Sequence, residues 1–149
     1  MNSKQNIRVM IVDDHDMVRN GLSVLIEIYD DFELIGVAAS GQEAVELYSQ
    51  LLPDVIVMDL IMPEMDGVEA MRRIKSISSQ AQIIVLSSFQ EKELVSAALQ
   101  AGAISYLLKN VSIDELAEAI RAAYVGKSII TPEVRQTLEE IYESQESDT

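Results

Sequence analysis

Cysteine and tryptophan are absent from these 149 residues, histidine occurs once, and only 11 lysines and arginines stand against 25 acids. Without cysteine there is no disulfide, no thiolate metal ligand and no thiol nucleophile, and a single histidine cannot build a His-rich zinc site. The net charge of -14 repels phosphate backbones and anionic lipid surfaces, so direct contact with nucleic acid or a membrane is not expected. No apolar run approaches the roughly 18 residues that cross a bilayer, and the polar start MNSKQNIR lacks the apolar core of a signal peptide. A cytoplasmic location is the expectation. Low-complexity segments and internal repeats are also missing. What remains is 48% apolar and 24% charged, the composition of one ordinary globular domain.

Five short apolar runs, rich in β-branched residues, read as strands: Val9 to Val12, Leu34 to Ala38, Val55 to Met58, Ile83 to Leu86 and Tyr106 to Leu108. Their near-continuous hydrophobicity fits a sheet covered on both faces. Between and after them the apolar residues recur at helical spacing, as in Val18, Leu22, Leu25 and Ile26, or Ile113, Leu116, Ala117 and Ile120. Ser40 with Glu43 and Ser112 with Glu115 fit capping boxes, Gly102 suits a helix end, and Asp14 is placed to cap the first helix. Five βα units imply an α/β fold: a doubly wound, five-stranded parallel sheet of order 2-1-3-4-5 with helices on both faces. In that order the functional crevice opens at the carboxyl ends of the first and third strands. The division expected is a domain over 1–126 and a segment over 127–149. In the latter, Thr131 and Pro132 open a short charged helix to about Tyr142, and the polar ESQESDT frays.

Asp13 and Asp14 follow the first strand and Asp59 ends the third, so the topology gathers three carboxylates at one crevice. Each acid alone reads better as a cap or loop residue. Together they would raise one another's pKa values unless a divalent cation sat among them, and all-oxygen ligands suit magnesium or manganese. Lys109 after the fifth strand and Ser87 at the end of the fourth reach the same edge, although in isolation they read as a solvated lysine and a turn serine. Pro63 and Gly67 shape the loop DLIMPEMDG that follows.

The Asp13–Asp14 pair, the D-x-x-M-P-x-M-D-G run from Asp59 to Gly67, Ser87 and Lys109 together resemble the receiver domain of bacterial two-component response regulators. VDDHDMVRNGL and YLLKN resemble its NarL/FixJ branch, whose members append a LuxR-type helix-turn-helix. The resemblance implies a flavodoxin-like, CheY-like fold in which 1–126 is the receiver and 127–149 leads toward an output domain beyond this chain. It implies that Asp59 accepts a phosphoryl group from a sensor histidine kinase, and that Asp13, Asp14, Asp59 and the backbone carbonyl of Ile61 hold Mg2+, or Mn2+ in its place. Lys109 would bind a phosphoryl oxygen. Ser87 would move toward the phosphoryl group and Tyr106 would swing inward behind it. Such a chain is a regulator and not a conventional enzyme, since it catalyses only its own phosphotransfer and dephosphorylation. The expected output is transcription, with DNA touched only through the output domain. Phosphorylation would drive homodimerisation through the fifth helix and either the first or the fourth.

Asn110 stands where many receivers have proline, so a trans peptide is expected there. His15 is read as solvated or hydrogen bonded, not as a phosphate carrier. A phosphohydrolase acting through an aspartyl phosphate would need a second acid two residues after Asp59, where Ile61 stands. A module indifferent to phosphate would not need this set of residues.

Overall fold

The computed structural model describes residues 6–147, with side chains described through residue 144. Strands β1 (Ile7–Val12), β2 (Phe32–Ala38), β3 (Val55–Met58), β4 (Gln82–Ser87) and β5 (Ser105–Leu108) form one parallel sheet in the order β2-β1-β3-β4-β5. This is the expected topology. Several strands run one or two residues past their apolar runs, because backbone bonds such as Ile7 N to Asp31 O, 2.8 Å, extend the pairing into polar sequence.

The connecting helices are α1 (Asp16–Ile28), α2 (Gly41–Leu51), α3 (Gly67–Ile77), α4 (Lys92–Gln100) and α5 (Ile113–Tyr124). Side chains alternate across the sheet, which divides the core in two. Met10, Ile56, Met58, Ile83 and Tyr106 pack with residues of α2, α3 and α4, whereas Val9, Ile11, Val57, Ile84 and Leu107 pack with residues of α1 and α5. Both faces are dry, which is why the strands show no polar alternation.

At the helix starts, Ser112 and Glu115 form both halves of a capping box, the Ser40 hydroxyl accepts from Glu43 N, and Asp66 caps α3 by accepting from Glu69 N. The cap of α1 is His15, not Asp14. The helix begins one residue later than expected, and this leaves the Asp14 carboxylate available to the acid crevice. Gly102, at φ +108°, follows α4 in the left-handed region that favours glycine. The described residues contain no cis peptide bond, so Asn110 is trans as expected.

The segment after α5 returns to the sheet. Tyr106 N donates to Ile129 O and Thr131 N donates to Tyr106 O, both at 3.3 Å, so 129–131 lies along the outer edge of β5. Helix α6 (Pro132–Ser147) then packs against α4, with Val134 fully buried. Pro132 takes the first helical position as expected. The Thr131 hydroxyl is buried without a hydrogen-bond partner and does not cap. The helix does not stop near Tyr142: Glu143 to Ser147 continue it, since glutamate and glutamine favour helix. Of the tail expected to fray, Asp148 and Thr149 lie outside the described residues. Among the described residues no helix is long and apolar enough to cross a membrane.

Candidate functional site: an acidic crevice at the carboxyl edge of the sheet

Asp13 and Asp59 are the first residues beyond β1 and β3, and both remain tied to the sheet, by Asp13 N to Ala38 O at 3.1 Å and Asp59 N to Val12 O at 2.9 Å. Their carboxylates are therefore fixed beside each other under cover, 1% and 4% exposed. Lys109 is anchored the same way, through Lys109 N to Ser87 O at 2.9 Å. Its Nζ donates to Asp13 Oδ2 at 2.9 Å and stands 3.6 Å from Asp59 Oδ2. Leu60 N donates to Asp59 Oδ1 at 2.9 Å. The loop after Asp59 folds back tightly enough that a Cβ on Gly67 would lie 2.3 Å from the Asp59 carbonyl oxygen, so a side chain there would force the loop off the strand end. That close approach explains the glycine of PEMDG.

Asp13 and Asp59 share one lysine, and the field divides them. Burial pushes the Asp59 carboxyl up, the neighbouring Asp13 charge adds to this, and Lys109 with the Leu60 N–H only partly offset them. For Asp13, burial also pushes upward. The bonds from Lys109, from the His15 N–H and from the His15 ring outweigh it, so the carboxyl lies below its ordinary value. Asp13 is thus the satisfied acid and Asp59 the frustrated one.

His15 belongs to this cluster. Its N–H donates to Asp13 Oδ1 at 2.9 Å, and its ring Nδ1 stands 3.0 Å from Asp13 Oδ1 and 3.0 Å from Asp14 Oδ1. From sequence it reads only as solvated or hydrogen bonded; adjacency to the acid pair is the signal that points to the crevice. Asp14 Oδ1 is buried, and despite the nearby ring it has no partner at hydrogen-bonding geometry. Asp13, Asp14, His15 and Asp59 each offer a ligand atom within 4.8 Å of the others. An orphaned carboxylate oxygen within an acid-rich donor set fits a hard divalent cation such as Mg2+ or Mn2+. Ile61, whose carbonyl completes the expected set, lies on the same loop and is half exposed.

Ser87 is fully buried and its Oγ accepts from Phe89 N at 3.1 Å. Tyr106 is fully buried too, and its OH donates to the Phe89 carbonyl at 2.6 Å. Burial pushes the phenol up to about 12. The resemblance has Tyr106 swinging inward on switching, whereas here the ring already stands inside. Phe89 joins the two residues through its backbone, a link that side-chain patterns do not reveal.

The chain matches the response regulator receiver domain family over residues 9–121. It is 50% identical over 121 residues to the transcriptional regulatory protein LiaR of Bacillus subtilis, covering 81% of this chain and 57% of that one. It is 44% identical over 128 residues to the response regulator protein VraR of Staphylococcus epidermidis, covering 86% and 61%. The chain thus spans about three fifths of the length of these curated relatives. A LuxR-family two-component response regulator from Aurantimonas superposes with a TM-score of 0.86 at 34% identity, over 93% of this chain and 99% of that one. With its acid crevice at the switch point of a 2-1-3-4-5 sheet, the chain belongs to the response regulator receiver domain family.

Proposed function

We propose that this chain is the phosphoacceptor segment of a two-component transcriptional regulator, with Asp59 taking a phosphoryl group from a phosphohistidine of a sensor kinase. The observation that carries this reading is the asymmetric crevice, in which Lys109 satisfies Asp13 at 2.9 Å and leaves Asp59, at 3.6 Å, the strained carboxylate. An Asp59 oxygen forms the new P–O bond as the P–N bond to the imidazole breaks. The electron pair stays on the imidazole nitrogen, which takes a proton from solvent. Lys109 holds one phosphoryl oxygen, and the Ser87 hydroxyl turns to another.

Asp13, Asp14, Asp59 and the Ile61 carbonyl would hold Mg2+, or Mn2+, which when bound supplies neutralising charge for the phosphoryl oxygens. Catalysis is confined to the protein's own phosphotransfer and dephosphorylation. The cytoplasm is the compartment that brings such a kinase and DNA within reach. Any DNA contact is assigned to an output domain outside this segment, since the acidic segment repels DNA.

The partner surface can also be narrowed. Helix α4 is partly occupied by α6, while α1 leaves Met17, Val24 and Ile28 exposed at 87%, 61% and 63%. Of the two surfaces open from sequence, a homodimer formed on phosphorylation is therefore assigned to α1 with α5. The deciding experiment for the phosphoacceptor is incubation with acetyl phosphate and Mg2+ followed by mass spectrometry. One phosphoryl group that disappears in Asp59→Asn supports the reading, and single labelling that persists in that variant overturns it.

A further inference from the structure

Helix α6 does more than lead away from the domain. Its residues Val134 and Leu138, with Ile130 before it, join the buried cluster that contains Tyr106, so the linker closes the face of β5 on which that ring lies. The Tyr106 backbone is paired to 129 and 131 on its outer edge, and Ile129 N donates to Ser105 Oγ at 2.8 Å. The loop between β4 and α4 is held from both sides. On the inner side Ser87 Oγ accepts from Phe89 N and Tyr106 OH donates to Phe89 O, at 3.1 and 2.6 Å. On the outer side Thr137 Oγ1 lies 3.4 Å from the Gln90 carbonyl, and Lys92 Nζ lies 3.7 Å from Glu140 Oε2. The exposed ion pair adds little, whereas the buried apolar cover is substantial.

We propose that docking of α6 on α4 and β5 is coupled to occupancy of Asp59: the docked linker confines Tyr106 to its inward position and so favours the phosphorylated form of the crevice. The proposal rests on the phosphoacceptor reading above. Its sign follows from the cover. Tyr106 and Val134 are buried in one cluster against which Ile130 packs, so an outward ring would disturb that cover, and an inward ring would fill the space that Ser87 leaves if it turns to the phosphoryl group. The linker is thereby an element that reads the phosphorylation state. Coupling of this kind is reciprocal, so whatever undocks α6 must weaken binding at Asp59 by the same factor.

The test is hydrogen exchange of the full chain with Mg2+, with and without beryllium fluoride, a phosphoryl mimic whose occupancy is followed by native mass spectrometry. Amides of 133–142 are expected to exchange about five-fold more slowly when the mimic is bound. Val134→Asp, which forces a carboxylate into the buried contact, is expected to abolish that protection and raise the half-saturating mimic concentration by a similar factor. Thr137→Val and Leu138→Ala serve as milder variants should Val134→Asp fail to fold, and they are expected to move both quantities in the same direction. If the mimic binds Asp59 while α6 exchange stays constant or rises, the coupling is overturned. It is equally overturned if undocking leaves the affinity for the mimic unchanged. Failure of the mimic to bind the unaltered chain at all, or binding that persists in Asp59→Asn, would instead strike the phosphoacceptor reading.

Discussion

The two ends of the sheet are built on opposite principles. At the amino edge, Arg8 N donates to Asp54 Oδ2 at 2.9 Å, and the Arg8 guanidinium donates to the carbonyls of Leu52 and Leu51 at 2.9 and 2.7 Å. Asp54 N returns a bond to Arg8 O, also at 2.9 Å. One arginine thus ties the end of α2 and the entry to β3 onto the start of β1, and its donors meet acceptors. At the carboxyl edge, Asp13, Asp14 and Asp59 converge on Lys109 and His15, and one carboxylate oxygen is left without a partner. Donors and acceptors are matched at the first edge, and charge is left unresolved at the second, where a ligand can relieve it. Local rules are broken where function needs them broken.

Removing Asp59 is expected to have the largest effect on this contrast. Asp59→Asn should lose all phosphoryl labelling from acetyl phosphate, because the nucleophilic oxygen is gone, while the amino-edge clamp keeps the fold intact. Mass spectrometry with circular dichroism reads both. Next in size is Asp14→Ala, which deletes a proposed cation ligand and should slow labelling about ten-fold or more. Excess EDTA should do the same to the unaltered chain, and full-rate labelling in EDTA would show that the crevice works without a metal. Arg8→Ala probes the other end: it should cost roughly 1–2 kcal/mol of unfolding free energy, read by denaturant titration, and leave the labelling rate unchanged.

A smaller effect lies in the pH dependence of stability. The folded state raises the Asp59 pKa above its unfolded value through burial and the Asp13 charge. It therefore holds that proton more tightly than the unfolded chain, and ionisation of Asp59 removes stability as pH rises from the unfolded pKa through the folded one. Asp13 has the opposite sign. Its lowered pKa contributes stability above the ordinary carboxylate range, and this is lost as pH falls through the folded value. Asp59→Asn should consequently unfold at higher denaturant than the unaltered chain near neutral pH. The gap should close as pH drops toward the ordinary carboxylate range, and a gap of constant size would mean that Asp59 is not strained.

Much of this contrast is legible in the sequence. Runs such as Val55 to Met58 are rich in β-branched residues, too short for helices and without polar alternation, so they read as strands buried on both faces, and the acids following β1 and β3 are placed by topology. What stays hidden depends on directions in space. Asp14 reads as a helix cap, but the helix begins one residue later and frees its carboxylate for the crevice. His15 reads as solvated or hydrogen bonded, and only the fold shows its ring standing between Asp13 and Asp14. The spacing of Val134, Thr137 and Leu138 marks one helix face, but nothing in the string names α4 as the surface it meets, and continuation of α6 past Tyr142 follows from propensity that polar composition obscures. Tyr106 reads as a switch, yet the carbonyl of Phe89 that holds its hydroxyl inward is a backbone group and leaves no trace in residue type.

The smallest expected effect concerns association, and it separates the two helix-covered faces as the earlier tests separate the two edges. On one face α6 packs against α4, so a second copy could use the α6-facing side of α4 only by displacing Val134 and its neighbours from a dry contact. On the other face Met17, Val24 and Ile28 already lie in solvent along α1, and Ile113 is half exposed on α5. Covering these residues in a symmetric pair would remove apolar surface from water without first opening the domain. Phosphorylation can shift this equilibrium only by the difference in affinity between the two states, so the gain is modest. Sedimentation with and without beryllium fluoride should show the dimer favoured by the mimic. Met17→Glu, which puts a charge into the exposed apolar patch of α1 on both copies, should weaken that dimer about ten-fold, ~1.4 kcal/mol. Leu94→Glu on α4 makes the complementary test. If it weakens the dimer more than Met17→Glu does, the chain associates through α4, and the assignment of the dimer to α1 and α5 falls.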